Sequence, residues 1–184
     1  MTSKIGIIIG STRPSRISPD IANWLQKAIA QPSLTVDLID LAEINLPFLD
    51  EIAQPSTGVY NQAHTQRWSQ LVQGYDGFIL LFPQYNWGYP APLKNALDYL
   101  YKEWADKPVS MVSYGSHGGF QAALGVNLII HGLKMQPLNN NLQISLHRAD
   151  MDDQGHFINV DQALAPYAFN AQQLGAEFQN SLNK

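Results

Sequence analysis

Cysteine is missing from all 184 residues. That excludes disulfides, thiolate catalysis and cysteine-bound zinc or iron–sulfur centres in one step. Redox chemistry in such a chain needs a bound cofactor to carry the electrons. Charge is also scarce: Asp, Glu, Lys and Arg make up 14% against 45% hydrophobic residues, with a net charge of −4. This balance builds a core and argues against disorder. It also denies the chain the basic face that nucleic acid needs. No apolar run approaches the roughly 18 residues of a membrane span. The short run Ile5 to Ile9, followed by GSTRPSR, does not suit a signal peptide. The expectation is a cytoplasmic protein with neither nucleic-acid nor membrane partners. Metal-ligating spacing is absent too. Asp150, Asp152, Gln154, Gly155 and Asp161 fit a calcium loop only in part, and DDQG reads more simply as a turn.

What the chain does hold is alternation. Lys4–Gly10, Thr35–Leu41, Gly77–Phe82, Pro108–Tyr114 and Leu138–Leu146 read as strands, most of them short and continuously apolar. Between them lie helical patterns: Ile21, Trp24, Leu25, Ala28 and Ile29; Asn61 to Gly74; Leu93, Ala96, Leu97, Leu100 and Trp104; and Phe120 to His131. Gln162 to Phe178 reads as a last helix. Strands that are apolar on both sides and alternate with helices predict a parallel sheet covered on both faces. The expected fold is α/β: a single flavodoxin-like domain over residues 1–184, a three-layer sandwich with a five-stranded parallel sheet of order 2-1-3-4-5. Residues 42–60 form the longest irregular segment, and a segment of that length is more often functional than idle.

In this fold, ligands bind beyond the carboxyl ends of the strands. Three unusual stretches fall there. GSTRPSRISPD places Ser11, Arg13, Arg16, Ile17 and Ser18 ahead of a helix, with Ser18 as the expected N-cap and Pro19 as the first helical residue. Hydroxyls and guanidinium groups at a helix N-terminus suit phosphate; the plainer reading is a capped turn with solvated arginines. Neither GxxxxGK[ST] nor GxGxxG occurs, so a single phosphate monoester fits better than a nucleotide triphosphate or a pyrophosphate. In this fold that points to FMN. PQYNWGYP, residues 83–90, has no charge and three large rings. It offers aromatic faces and amide groups to a flat heterocycle, or else packs Trp87 and Tyr89 under a helix or into a dimer contact. SYGSHGG, 113–119, brings glycines where backbone approaches a ligand. His117 within it reads as a loop histidine rather than a proton donor, since no GxSxG accompanies it.

Taken with LPFLDE at 46–51 and the helix running to Trp104, these stretches resemble the NADPH-dependent FMN reductase family, flavodoxin-like NAD(P)H:quinone and azo-dye reductases. The resemblance extends to roughly residue 130. It implies an enzyme that passes hydride from NADPH or NADH through bound FMN to a quinone, azo compound or free flavin. Ser11, Arg13, Arg16, Ile17 and Ser18 would hold the phosphate. Pro83, Gln84, Tyr85 and Asn86 would line the isoalloxazine, with Trp87 flanking it, and Ser113, Tyr114, Gly115 and Gly118 would approach from the fourth strand. The chemistry would be the flavin's, with no catalytic side chain. The resemblance also implies a homodimer or homotetramer with LPFLD reaching a partner's flavin site, and small-molecule electron acceptors. An FMN electron carrier and a flavin-based redox-sensing module are the alternatives. Gln84 and Trp87 depart from commoner glutamate and glycine or serine, which bears on substrate preference.

Overall fold

The computed structural model describes residues 2–183. Four strands, β1 (Ser3–Ile9), β2 (Leu34–Asp40), β3 (Gly77–Pro83) and β4 (Pro108–Gly115), pair in parallel in the order β2-β1-β3-β4. Side chains alternate across this sheet, so β1 sends Ile5, Ile7 and Ile9 to one face and Ile8 to the other. On the first face, α1 (Ser18–Ala28), α6 (Val160–Leu164) and α7 (Ala168–Leu182) bury Ile21, Leu25, Leu164, Leu174 and Phe178. On the second, α3 (Ala63–Gln73), α4 (Ala91–Asp98) and α5 (Phe120–Gly132) bury Trp68, Leu97 and Val126 against Phe78, Leu80 and Phe82. Among the described residues no helix is long and apolar enough to cross a membrane.

The fifth position of the sheet differs from the expected continuous strand. Two pieces, β5 (Gln136–Pro137) and β6 (Leu142–Ser145), both pair with β4. Three asparagines cause the break. Asn139 and Asn140 turn to Glu177 of α7, whose carboxylate accepts from both backbone N–H groups (2.8 and 2.9 Å) and both side-chain amides (2.8 and 2.6 Å). Asn141 fills the gap, its Oδ1 accepting from Met111 N at 2.8 Å where a strand carbonyl would otherwise sit. Burial pushes the Glu177 carboxyl up, but the Asn139 and Asn140 donors outweigh it and hold it below its ordinary value. Glu177→Ala removes the acceptor of one exposed and one half-buried backbone donor and should cost about 1 kcal/mol at pH 7. A depressed carboxyl stabilises above its unfolded value of about 4.5 and loses that contribution as pH falls through the folded one. Urea unfolding should therefore separate variant from parent at pH 7 and bring them together near pH 3.

Other boundaries also shift. The amphipathic pattern from Leu93 to Trp104 outruns its helix, because α4 ends at Asp98. Leu100 and Trp104 remain fully buried, and Trp104 Nε1 donates back to Leu97 O at 3.1 Å. The last helical stretch is broken by a 3₁₀ turn, Ala165–Tyr167, at Pro166. The segment 42–60 takes in most of a short α2 (Leu41–Ile44) and a 3₁₀ turn at Pro55–Thr57. Ser18 is not the N-cap of α1: Ile17 holds that place, and Ser18 is the first helical residue.

Candidate functional site

The strand ends and their loops enclose a cavity of about 510 Å³, the scale of a cofactor site. The β1–α1 turn contributes Arg13, Ser15, Arg16 and Ile17, the end of β3 contributes Pro83, Gln84 and Tyr85, and the end of β4 contributes Tyr114, Gly115 and Ser116. A fourth wall was not anticipated. After β6 the chain turns back through Leu146, His147, Arg148, Met151, Gln154 and Gly155 to close the cavity. Asp152 Oδ1 accepts from Gln154 N and His156 N at 2.9 Å, so DDQG is the expected turn, and Met151 pairs with Phe157 across it. The lining includes three arginines and, among the described residues, no carboxylate.

Several anticipated residues stand behind this lining rather than in it. Ser11 is fully buried, with its Oγ 2.8 Å from the Tyr85 hydroxyl. Ser113 is buried and donates to Gly118 O at 2.7 Å, fixing the β4–α5 loop. Gly118 and Gly119 take φ of +68° and +74° there, conformations that favour glycine. His117 lies outside the lining, its Nδ1 3.2 Å from Ser116 Oγ. Ser18 is fully buried at the start of α1, and its hydroxyl has no hydrogen-bond partner among the described residues. It lies outside the cavity lining and close to the buried Tyr114 hydroxyl, whose pKa burial raises and Ser18 helps to hold down; the anion-favouring feature here is the start of α1 behind the arginine-bearing turn.

The aromatic loop is a two-residue turn. Tyr85 and Gly88 exchange N–H···O bonds of 2.8 Å in both directions, and the residues between them, Asn86 and Trp87, have φ of +48° and +67°. That is the type I′ geometry, usually given to Asn-Gly. Trp87 occupies the glycine position, strained and 74% exposed. Below the turn, Gln84 ties two loops together: its N donates to Tyr114 O at 3.0 Å and its Oε1 accepts from Ala122 N at 3.1 Å. Burial pushes the Tyr114 hydroxyl up to about 12, so it stays a proton donor throughout the neutral range.

Residues 3–148 match the family model described as NADPH-dependent FMN reductase. The chain belongs to that family. It is 43% identical over 139 residues to an NAD(P)H-dependent FMN reductase of Schizosaccharomyces pombe, covering 74% of this chain and 70% of the relative. A second enzyme of that name, from Saccharomyces cerevisiae, is 40% identical over 144 residues, 72% of this chain and 75% of its own. In fold the chain is similar to the flavoenzyme NAD(P)H:(acceptor) oxidoreductase FerB of Paracoccus denitrificans, with a TM-score of 0.74 at 18% identity over 98% of this chain and 99% of the other. As a member of the FMN reductase family, the chain is an FMN-dependent oxidoreductase with NAD(P)H as its co-substrate. The cavity suits that cofactor: its lining combines the arginines of the β1–α1 turn with Tyr85 and Gly115 from the ends of β3 and β4. The match ends at 148, so most of the turn at Arg148–Gly155 lies outside what the family model describes.

Proposed function

We propose that this cavity is the FMN site, with the phosphate at the β1–α1 turn and the ring system against the ends of β3 and β4. The observation that carries the reading is a single cavity whose lining brings Arg13, Ser15 and Ile17 of the turn ahead of α1 together with Gln84, Tyr85 and Gly115 from the ends of β3 and β4. Arg13 makes no ion pair among the described residues, and its guanidinium lies 5.8 Å from the Tyr85 ring centre. It is held near the cavity yet remains available to an anion. Bound FMN supplies the ring that accepts hydride from NAD(P)H and delivers it to a second substrate. Gln84 and the β4–α5 backbone would hold that ring, Ser116 would offer it a hydroxyl donor, and the buried Tyr114 hydroxyl would brace the β1–α1 turn beside Ser11 and Ser18.

NAD(P)H and the acceptor would use one open face in turn, a ping-pong order. Relatives from rice and Pseudomonas putida are named quinone reductases, and a flat quinone suits the exposed Trp87 as an acceptor. We take the cytoplasm, where NAD(P)H is supplied, as the setting. A homodimer or homotetramer fits the loop at 46–52. Phe48 and Ile52 are 84% and 95% exposed, yet Asn95 Nδ2 holds Pro47 O at 2.7 Å and Glu51 accepts from the N–H groups of Asn61 and Gln62 at 2.9 Å. A moored loop that presents apolar side chains to solvent is suited to meet a partner subunit.

The direct test is an absorbance spectrum of the purified protein, supplied with FMN, before and after NADPH under anaerobic conditions. Flavin bands that bleach rapidly are expected; a protein that takes up no flavin overturns the reading. Trp87→Gly provides a second test. It relieves a left-handed tryptophan, so stability should stay within about 1 kcal/mol of the parent. Quinone turnover, measured as kcat/KM, should fall about 5- to 10-fold as a stacking surface is lost.

A further inference from the structure

The β1–α1 turn carries two arginines, and the structure gives them unlike surroundings. Arg13 is exposed and without an ion pair among the described residues. The Arg16 side chain is only 17% exposed, and its Nη2 meets Asp40 Oδ2 at 2.5 Å, the carboxylate itself 13% exposed. Its Nη1 donates to Ser11 O at 3.0 Å. Asp40 is also the N-cap of α2, its Oδ1 accepting from Ala42 N at 3.0 Å. One guanidinium therefore joins the last residue of β2 to the first residues after β1. The next link, from Ser11 Oγ to the Tyr85 hydroxyl, runs into the aromatic loop.

An arginine so engaged brings no net charge to a ligand, because Asp40 neutralises it at contact distance. A phosphate dianion placed beside it would meet the Asp40 carboxylate as well. The guanidinium does fix the loop whose backbone and hydroxyls face the cavity, and fixing such a loop beforehand lowers the cost of binding. We propose that Arg16 is a positioning residue, a latch that acts through Asp40 and Ser11 to shape the phosphate turn, leaving Arg13 as the cation that meets the phosphate. The proposal rests on the FMN reading above and divides the labour within it.

The two roles predict opposite signs for one substitution. Asp40→Asn keeps an oxygen on Ala42 N, and asparagine is as good an N-cap as aspartate, so only the charge of the latch is removed. Flavin affinities of the apoprotein are read by fluorescence quenching with FMN and with riboflavin, which lacks the phosphate. Asp40→Asn and Arg16→Gln should each weaken FMN about tenfold, and the double variant should be no worse than either alone. Arg13→Gln should weaken FMN about tenfold and leave riboflavin within about twofold. Tighter FMN binding by Asp40→Asn overturns the latch, since that is the result of freeing a direct phosphate ligand. Unchanged FMN binding by Asp40→Asn beside a loss in Arg16→Gln overturns it equally, since a latch needs both partners. If the parent binds neither flavin, the FMN reading fails and the latch is judged on melting temperature. Equal, non-additive losses from Asp40→Asn and Arg16→Gln then uphold it, and additive losses overturn it.

Discussion

Gly119→Ala should raise the Kd for FMN by about 30- to 100-fold and remove most FMN-dependent NADPH oxidation at ordinary cofactor concentrations. Gly119 precedes α5 with φ +74°, where a β-carbon costs about 1–2 kcal/mol by itself. That carbon would also lie 3.0 Å from Ser113 Cβ and 3.2 Å from both Tyr114 N and Tyr114 O. Two of these neighbours are backbone of β4, locked by pairing on both sides, so the loop must give way. The segment that moves carries Gly115 and Ser116, which line the cavity. Gly118→Ala meets the same difficulty against Gln143 Cβ at 2.9 Å. Gly132→Ala is the control: nothing lies within 4 Å of its added carbon. It should leave FMN binding unchanged and alter stability by less than about 1 kcal/mol. Titration of the three apoproteins with FMN, alongside their melting temperatures, measures both effects.

Much of this architecture is legible in the sequence, and the exceptions have physical causes. The central strands announce themselves because a strand covered on both faces has no polar positions to interrupt it: KIGIIIG and GFILLF leave little else to be. The strand at the sheet edge fails for the opposite reason. Asn139, Asn140 and Asn141 replace ladder hydrogen bonds with side-chain ones, and a reading based on apolar runs passes over a junction held by amides and a distant carboxylate. The overshoot at Leu100 and Trp104 has another origin. Both residues are buried, as their spacing implies, but a turn can bury side chains that a helix would also bury.

At the site, three of the four walls are visible as odd loops at predicted strand ends. The fourth, Leu146–Gly155, is not, because its role depends on where a turn lands after β6 rather than on its own composition. Asp40 escaped notice for the same reason. At the end of an alternating strand it looks like one more exposed acid, and only the fold brings Arg16 within reach. Arg148 or His147 next to DDQG could have drawn attention to that wall, since basic residues are few in this chain.

The other large effect is expected far from the cavity, at the contact between α1 and α7. A β-carbon on Gly175 would sit 2.3 Å from Ile29 O, 2.9 Å from Ile29 C and 3.0 Å from its Cα. Ile29 is the C-cap of α1, and its own N–H is bonded to Leu25 O at 3.0 Å. Backbone faces backbone here, so no rotamer change relieves the overlap and the helices must separate. Gly175→Ala should therefore cost about 3 kcal/mol or more, a fall of roughly 6–12 °C in Tm for a chain of this size. The site should survive, because the clash is at the far end of α1, about 16 Å from Ser18 along the helix. FMN at about 100 times its Kd should then return roughly 2.7 kcal/mol to variant and parent alike. An equal rise in melting temperature would show that α1 retreats from α7 without carrying its N-terminus away from the cavity. A rise confined to the parent would mean that α1 moves as one rigid rod, in which case the small residue at 175 governs cofactor binding as well as packing.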